Sequence, residues 1–495
     1  MTKLSFVPAL LMALATTSPL LAQPATTAPT LAPELRAQLV RLGGQLMIDG
    51  QAYEYDRQLA DEIGPRLTGS ANYEKAVEWS ASEFKKLGLE NVHTESWTIP
   101  SAWEPETDGV AHILKPHVQR LHVESEGWAP STPEGGVRGE VFMLPKLSVA
   151  SVKENAASIK GHIVLVTPAA MAGQEFLFGQ LFDAFDAVGD AGASGMLLGF
   201  GTTNDAPSYL GVGGFTGAAS KLPTGNVGLE DTLLLTRLLQ EGPVEVEFKF
   251  KNRIRSNVPV MNVVADIPGA DPDAGYVVIA GHLDSWHPGT GAEDNGTGAA
   301  SVMAVAQGVR AAGLKPKRTM RFILFGGEEE GLLGSIAYAR AHEQDLAKCA
   351  GIFVTDTGSE PPKGWLTFGR DDEKKALAPL EPLLQPLDAT GIDDGHEVIF
   401  ETDHAPFLIR GVSSFVLWNP MEKYMQLHHK PSDTFDKVDQ RDLDLGATVV
   451  GLSAYYFASA SDLPGKLDQS KMEDTLKSIK AYNQYKDMVD HKMIP

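Results

Sequence analysis

From Asn257 to about Ala460 the chain alternates short, largely apolar runs with stretches that repeat at helical spacing. The runs are VPVMNVVADI, YVVIAGH, RTMRFILFGG, GIFVT and SSFVLW. Helical patterns fall between or after them, over Gly298–Ala312, Ser335–Cys349 and Gln440 to about Ala460. A strand that is apolar at successive positions has no face to give to water and must be covered on both sides. Strands of this kind joined by helices predict an α/β fold, with a mixed, mainly parallel central sheet flanked by helices. In open sheets of that type, ligands bind beyond the carboxyl ends of the strands. The chemistry is expected where the apolar runs stop.

Five successive strand ends or loops carry acids and histidines. YVVIAG runs into His282-Leu283-Asp284, GAEDNGTG supplies Asp294, and RFILFGG runs into Glu328-Glu329-Glu330. GIFVT leads to Asp356, and LHHKPSDT supplies His428 and His429. His282 and Asp284, two apart on extended chain, project from one face. One can bind a cation while the other holds the imidazole tautomer. Asp294 lies in a Gly-flanked loop and has two oxygens to offer two cations. The adjacent Glu328 and Glu329 point differently, which suits a metal ligand and a base that takes a proton from water. Asp356 and His429 would complete a carboxylate and an imidazole for each ion. Asp294, Glu329 and Asp356 bring three negative charges against the four positive charges of two divalent ions. Without metal, acids converging on one mouth would repel and shift one another's pKa values. The one cysteine, Cys349, can form neither an intramolecular disulfide nor a thiolate cluster. Oxygen and imidazole donors therefore point to zinc, with cobalt or manganese as further options.

The remainder of the chain has other textures. Lys3, the apolar run Phe6 to Ala15 and the site after Ala22 predict a signal peptide over residues 1–22. An Ala/Pro/Thr-rich linker follows over residues 23–34. The apolar run is too short to span a bilayer, which takes about 20 residues. A secreted or periplasmic protein without stable membrane insertion is expected. Helical spacing then recurs at Leu39, Leu42 and Leu46, and over Asn72 to Leu87 with Gly88 as a stop. Residues 101–255 are Gly-rich with short β-like runs such as GHIVLV, NVGL and EVEFKFK, and residues 466–495 read as a polar helical tail. With 42 Lys and Arg against 64 Asp and Glu, the net charge of −22 repels phosphate backbones and excludes a nucleic-acid partner.

HLDSW, GAEDNGTG, GGEEEGLLGS, the Asp of VTDTGS, TDHAPF and HHKPSDT resemble the co-catalytic zinc aminopeptidase and glutamate carboxypeptidase family. The resemblance runs from Glu34 to about Pro464. It implies a zinc exopeptidase domain split over residues 35–100 and 256–465, interrupted by a section that resembles a protease-associated domain. By motif position, His282 and Asp356 would hold one Zn2+, Glu329 and His429 the other, and Asp294 would bridge both. Asp284 would orient His282, and Glu328 would serve as general base and acid. Many members carry Tyr where this chain has His428; an imidazole N–H can support the oxyanion equally, with Tyr424 as a second candidate. His404 is expected near the site without being a ligand. Asp403 or Glu330 could meet a substrate ammonium, and Trp286 and His287 could line the pocket. His112, His117, His122, His162 and His396 are expected to be surface or structural residues. The resemblance implies a secreted dizinc exopeptidase acting on small peptides, as an aminopeptidase or dipeptidase, and related proteins often form homodimers. The alternatives are a single-zinc glutaminyl cyclase-like enzyme and a non-catalytic binding protein of the same fold.

Overall fold

The computed structural model describes residues 31–175, 177–201, 211–213, 217–393 and 401–494. The expected signal peptide, most of the linker and His396 lie outside the described residues. At the centre of the sheet, strand Tyr276–His282 runs parallel to Thr319–Phe325 on one side and to Cys349–Val354 on the other. Ser414–Trp418 continues the parallel run beyond Cys349–Val354. Antiparallel partners flank this run: Glu245–Ile267 along Thr319–Phe325, and Gly364–Leu366 along Ser414–Trp418. The mixed, mainly parallel sheet expected from the apolar runs is present.

Burial explains those runs. Every residue of Tyr276–His282 is buried, and its side chains alternate between two cores. Val277 and Ile279 pack with Leu39, Leu42, Leu46 and the helices Thr297–Ala311 and Gln440–Ser459. Val278 and Ala280 pack with Ile336, Tyr338 and Phe407 on the opposite face. Each large apolar side chain so covered contributes about 1.5–3 kcal/mol. Thr297–Ala311 can lie close to the sheet because it is built of small residues. A Cβ on Gly298 would collide with the carbonyl oxygen of Thr355, and one on Gly308 would strike Leu46.

Two expectations need correcting. The helix foreseen over Ser335–Cys349 ends early, as Leu333–Ala341 followed by a 3-10 turn over Asp345–Lys348. Cys349 instead opens the next strand. Leu346 kept the helical spacing in sequence because it is buried in the same core as Ile336, but the turn delivers it there without a continuous helix. The C-terminal tail is two helices, Gln469–Ser478 and Tyr482–Asp490, rather than one polar helix. Met472, Leu476, Tyr485 and Met488 insert into the second core.

Glu90–Lys115 and Glu245–Ile267 pair antiparallel as one long ribbon that passes through both boundaries of the middle section. The boundary residues Ser101 and Ser256 face each other in its register. Beyond that point the sheet continues into Val137–Met143, Ile163–Val166, Gly195–Leu198 and Thr224–Val227. Two further hydrophobic cores lie within residues 111–250. Among the described residues, no helix is long and apolar enough to cross a membrane.

Candidate metal centre

The parallel strands end side by side, so the residues that follow them must meet. His282 is the last residue of its strand, and Thr319–Phe325 and Cys349–Val354 finish beside it. His282 Nε2 lies 3.1 Å from Asp356 Oδ1, 3.4 Å from Asp294 Oδ1 and 3.8 Å from Glu328 Oε2. His429 Nε2 lies 3.0 Å from Glu329 Oε2 and 3.4 Å from Asp294 Oδ2. Asp294 thus stands between two imidazoles with one oxygen toward each. His428 stacks on His429 with ring centroids 3.6 Å apart, and its Nε2 is 3.7 Å from Asp294 Oδ2. Tyr424 packs 5.1 Å from the His428 ring. Ligand atoms of His282, Glu328 and Asp356 lie within 4.8 Å of one another, as do those of Asp294, His428 and His429 and those of His282, Asp294 and Glu329.

The donors fit divalent cations. They are imidazole nitrogens and carboxylate oxygens without thiolate, a set suited to zinc. Cys349 opens its strand at the end remote from Val354 and the acids that follow. Electrostatics agree. Burial drives the Glu328 carboxyl well above its usual range and Glu329 up to about 7, and acids nearby add to both shifts. Burial also raises Asp356, despite the His282 ring beside it. Asp294 is buried as well, yet the hydrogen bond to His282 and the three histidines hold it below the ordinary carboxylate range. Burial works against a charged His282, but Asp356 and Glu328 outweigh it and raise that imidazole. Several buried acids sharing few protons are the condition that bound cations relieve.

His282 Nδ1 faces Asp284, 3.1 Å from its backbone oxygen and 3.5 Å from Oδ1. Asp284 Oδ2 in turn accepts from the Thr68 hydroxyl at 2.8 Å and the Gly327 N–H at 3.0 Å. Asp284 thus stands against His282, and Thr68 extends the contact. Sequence reasoning missed Thr68, which lies over 200 residues from Asp284 and in no strand-end motif. It also missed Arg66, whose buried guanidinium donates to the carbonyls of Leu283, Thr290 and Gly291. Glu293 carries no separate signal within the GAEDNGTG loop. Its carboxylate accepts from the Ser359 N–H and hydroxyl and pairs with Lys423 Nζ at 2.6 Å. Asp433 stands in sequence only as part of HHKPSDT; its two oxygens accept the N–H groups of Glu293 and Asp294.

Other candidates lie around rather than among the donors. Asp403 and Glu330 are buried, and burial raises both carboxyls, Asp403 to about 7. Trp286 is buried against the His429 ring, with centroids 5.6 Å apart. His287 is half-buried. His112, His117, His122 and His162 sit in the middle section, exposed or half-buried.

His404 is fully buried, stacked 4.4 Å from Phe368, and neither ring nitrogen has a hydrogen-bond partner among the described residues. Burial pushes its pKa down to about 3. An unfolded histidine binds its proton near pH 6.5, so below that value the unfolded state holds one proton more. His404 therefore costs stability as the pH falls from about 6.5 toward 3, by up to about 1.4 kcal/mol per unit. His404→Phe should remove that increment. Denaturant titrations across this range should show the variant gaining on the parent as the pH drops. A pH-independent difference would count against a buried neutral His404.

Residues 262–452 match the model of Peptidase family M28. Carboxypeptidase Q of Mus musculus is 28% identical over 414 residues, covering 83% of this chain and 87% of its own. The HLDSW run and the doubled histidine before Asp433-Thr434 carry the same likeness at the level of motifs. A solved Peptidase M28 precursor from Shewanella amazonensis is 25% identical with a TM-score of 0.77, covering 88% of this chain and 99% of that one. A zinc aminopeptidase from Bacillus subtilis shares the fold at 21% identity with a TM-score of 0.65, over 83% of this chain and 95% of that one. The strand-end cluster, the matched segment around it and the fold shared along nearly the whole of these relatives agree: the chain is similar to Peptidase family M28 across residues 262–452 and is a metallopeptidase.

Proposed function

We propose that the chain is a secreted two-zinc exopeptidase that hydrolyses short peptides. The observation that carries this reading is Asp294, whose two oxygens are each 3.4 Å from a different histidine. A carboxylate so placed can serve two ions at once. His282 and Asp356 would hold one, Glu329 and His429 the other. The zinc aminopeptidase of Bacillus subtilis and carboxypeptidase Q support the choice of metal and of reaction. Residues 101–255 act as a protease-associated insert, a reading supported by their own cores and by the paired entry and exit at Ser101 and Ser256.

When bound, the ions would polarise the scissile carbonyl and acidify water in the site. The chain's own residues do the rest. Glu328, half-buried at the rim of the donor set, takes a proton from water and returns it to the leaving amine. Asp284 holds His282 through Nδ1, which leaves Nε2 to face the donors. His428, partly exposed beside His429, offers its ring N–H to the developing oxyanion. Desolvation and the adjacent His429 lower its pKa, and a neutral ring keeps one N–H to donate.

The test is a panel of free dipeptides, longer peptides and amino- or carboxy-blocked versions, assayed with and without chelator, alongside metal content per chain. Two ions per chain and chelator-sensitive cleavage are expected. Cleavage of dipeptides alone selects a dipeptidase, and stepwise trimming of longer peptides selects an aminopeptidase. One ion per chain with cyclisation of N-terminal glutamine would replace this reading with the cyclase-like one.

A further inference from the structure

Among the described residues, the middle section meets the candidate metal centre at a buried aromatic contact. Trp286 follows the HLDS segment and touches the donors twice. Its backbone N–H donates to Glu329 Oε1 at 3.2 Å, the oxygen opposite the one facing His429. Its ring leans on the His429 imidazole at 5.6 Å. Behind it stands Trp128, meeting Trp286 edge-on with centroids 5.8 Å apart and planes at 88°. Both indoles are nearly excluded from solvent, at 4% and 3% exposure, so neither meets substrate directly.

Trp128 is itself held from all sides. Its Nε1 donates to the carbonyl of Ser101 at 2.7 Å, and Trp103 returns a bond to Ala129 at 3.1 Å. The Trp103 ring stacks on its other face. The Glu126 carboxylate gathers the N–H groups of Gly127 and Gly211 and the Asn226 amide. Val212 and Ser220 donate to the carbonyls of Gly127 and Trp128. Gly127 has no side chain because there is no room for one: a Cβ there would lie 2.5 Å from the Trp286 ring. A loop of the middle section, held by these hydrogen bonds, is thus pressed against Trp286, which touches both Glu329 and His429.

We propose that Trp128 is a positioning residue for the Glu329/His429 half of the metal centre, acting through Trp286. The proposal rests on the two-ion reading above. It makes the middle section a determinant of affinity for one ion while leaving the His282/Asp356 half to its own support from Asp284 and Thr68. Groups that orient metal ligands from behind are worth about 10- to 100-fold in affinity.

The test is chelator competition on the metal-loaded protein, measuring release of each ion from wild type, Trp128→Ala, Trp128→Phe and Gly127→Ala. In Trp128→Ala one ion should leave at about 10- to 100-fold lower chelator activity, with the other unchanged. Trp128→Phe, which keeps an aromatic edge against Trp286, should recover most of the loss. Gly127→Ala keeps both indoles but displaces the Trp286 ring, and should reproduce the selective weakening even if Trp128→Ala fails to fold. In a His429→Ala background, where the remaining ion belongs to the other half, adding Trp128→Ala should change its affinity by less than about twofold. Equal weakening of both ions, or wild-type affinity in both Trp128→Ala and Gly127→Ala, overturns the proposal. A wild-type chain that binds one ion refutes the two-ion reading instead, and the variant-to-parent ratio for that ion still decides whether Trp128 acts on it.

Discussion

Glu328→Ala should keep its full complement of metal and lose turnover by about 10²- to 10⁴-fold, the range a positioned general base supplies. Two features of the site separate these effects. Glu328 Oε2 stands 3.8 Å from His282 Nε2, while Asp356 and Asp294 are closer to that nitrogen and Glu329 pairs with His429. Removing Glu328 therefore leaves a carboxylate beside each imidazole. It also removes one of several mutually repelling buried acids, among them Asp356, Glu329 and Asp403, so the fold should not suffer. Metal content and kcat measured on the same preparation check the assignment. Near-normal turnover would end the general-base role, and loss of an ion would turn Glu328 into a ligand.

Asp294→Ala should have the larger effect on the metal itself. Its two oxygens each lie 3.4 Å from a different imidazole, and its loop is fastened by Asp433 through the N–H groups of Glu293 and Asp294. Without it, two ions would lack the shared carboxylate that this position offers. The variant should retain at most one ion per chain. Activity should fall by about three orders of magnitude or more, since several kcal/mol of charge stabilisation is lost. Zinc content by mass spectrometry after dialysis, with activity assayed in parallel, provides the check. A variant that still holds two ions tightly would show that Asp294 does not bridge.

The two variants probe a candidate site whose members are legible in the sequence, and the reason is topological. Parallel strands place their carboxyl ends at one edge of the sheet, so residues that follow apolar runs converge however far apart they lie in the chain. His282, Asp294, Glu328, Glu329, Asp356, His428 and His429 could all be picked out in that way, and the structure gathers them. What supports them could not. Thr68, Arg66 and the Glu293–Lys423 pair have no strand-end signature, and their partners are set by how the N-terminal helices and late loops pack.

The helix that stops at Ala341 and the C-terminal pair that fills the second core show the other limit of periodicity. Spacing reports which residues are buried, while the path that buries them depends on what they meet. Leu346 reaches its core from a 3-10 turn, and Met472 and Met488 join it from helices that look polar by composition.

By itself, the sequence determined the class of sheet, the edge where the candidate site gathers and the types of donor atom there, because these follow from apolar periodicity and from residue chemistry at run ends. Only the tertiary structure decided which oxygen faces which imidazole, how Asp284 and Thr68 hold His282, and that Trp128 stands behind Trp286. Those are matters of ångström-scale packing between segments remote in the chain, and no local pattern encodes them.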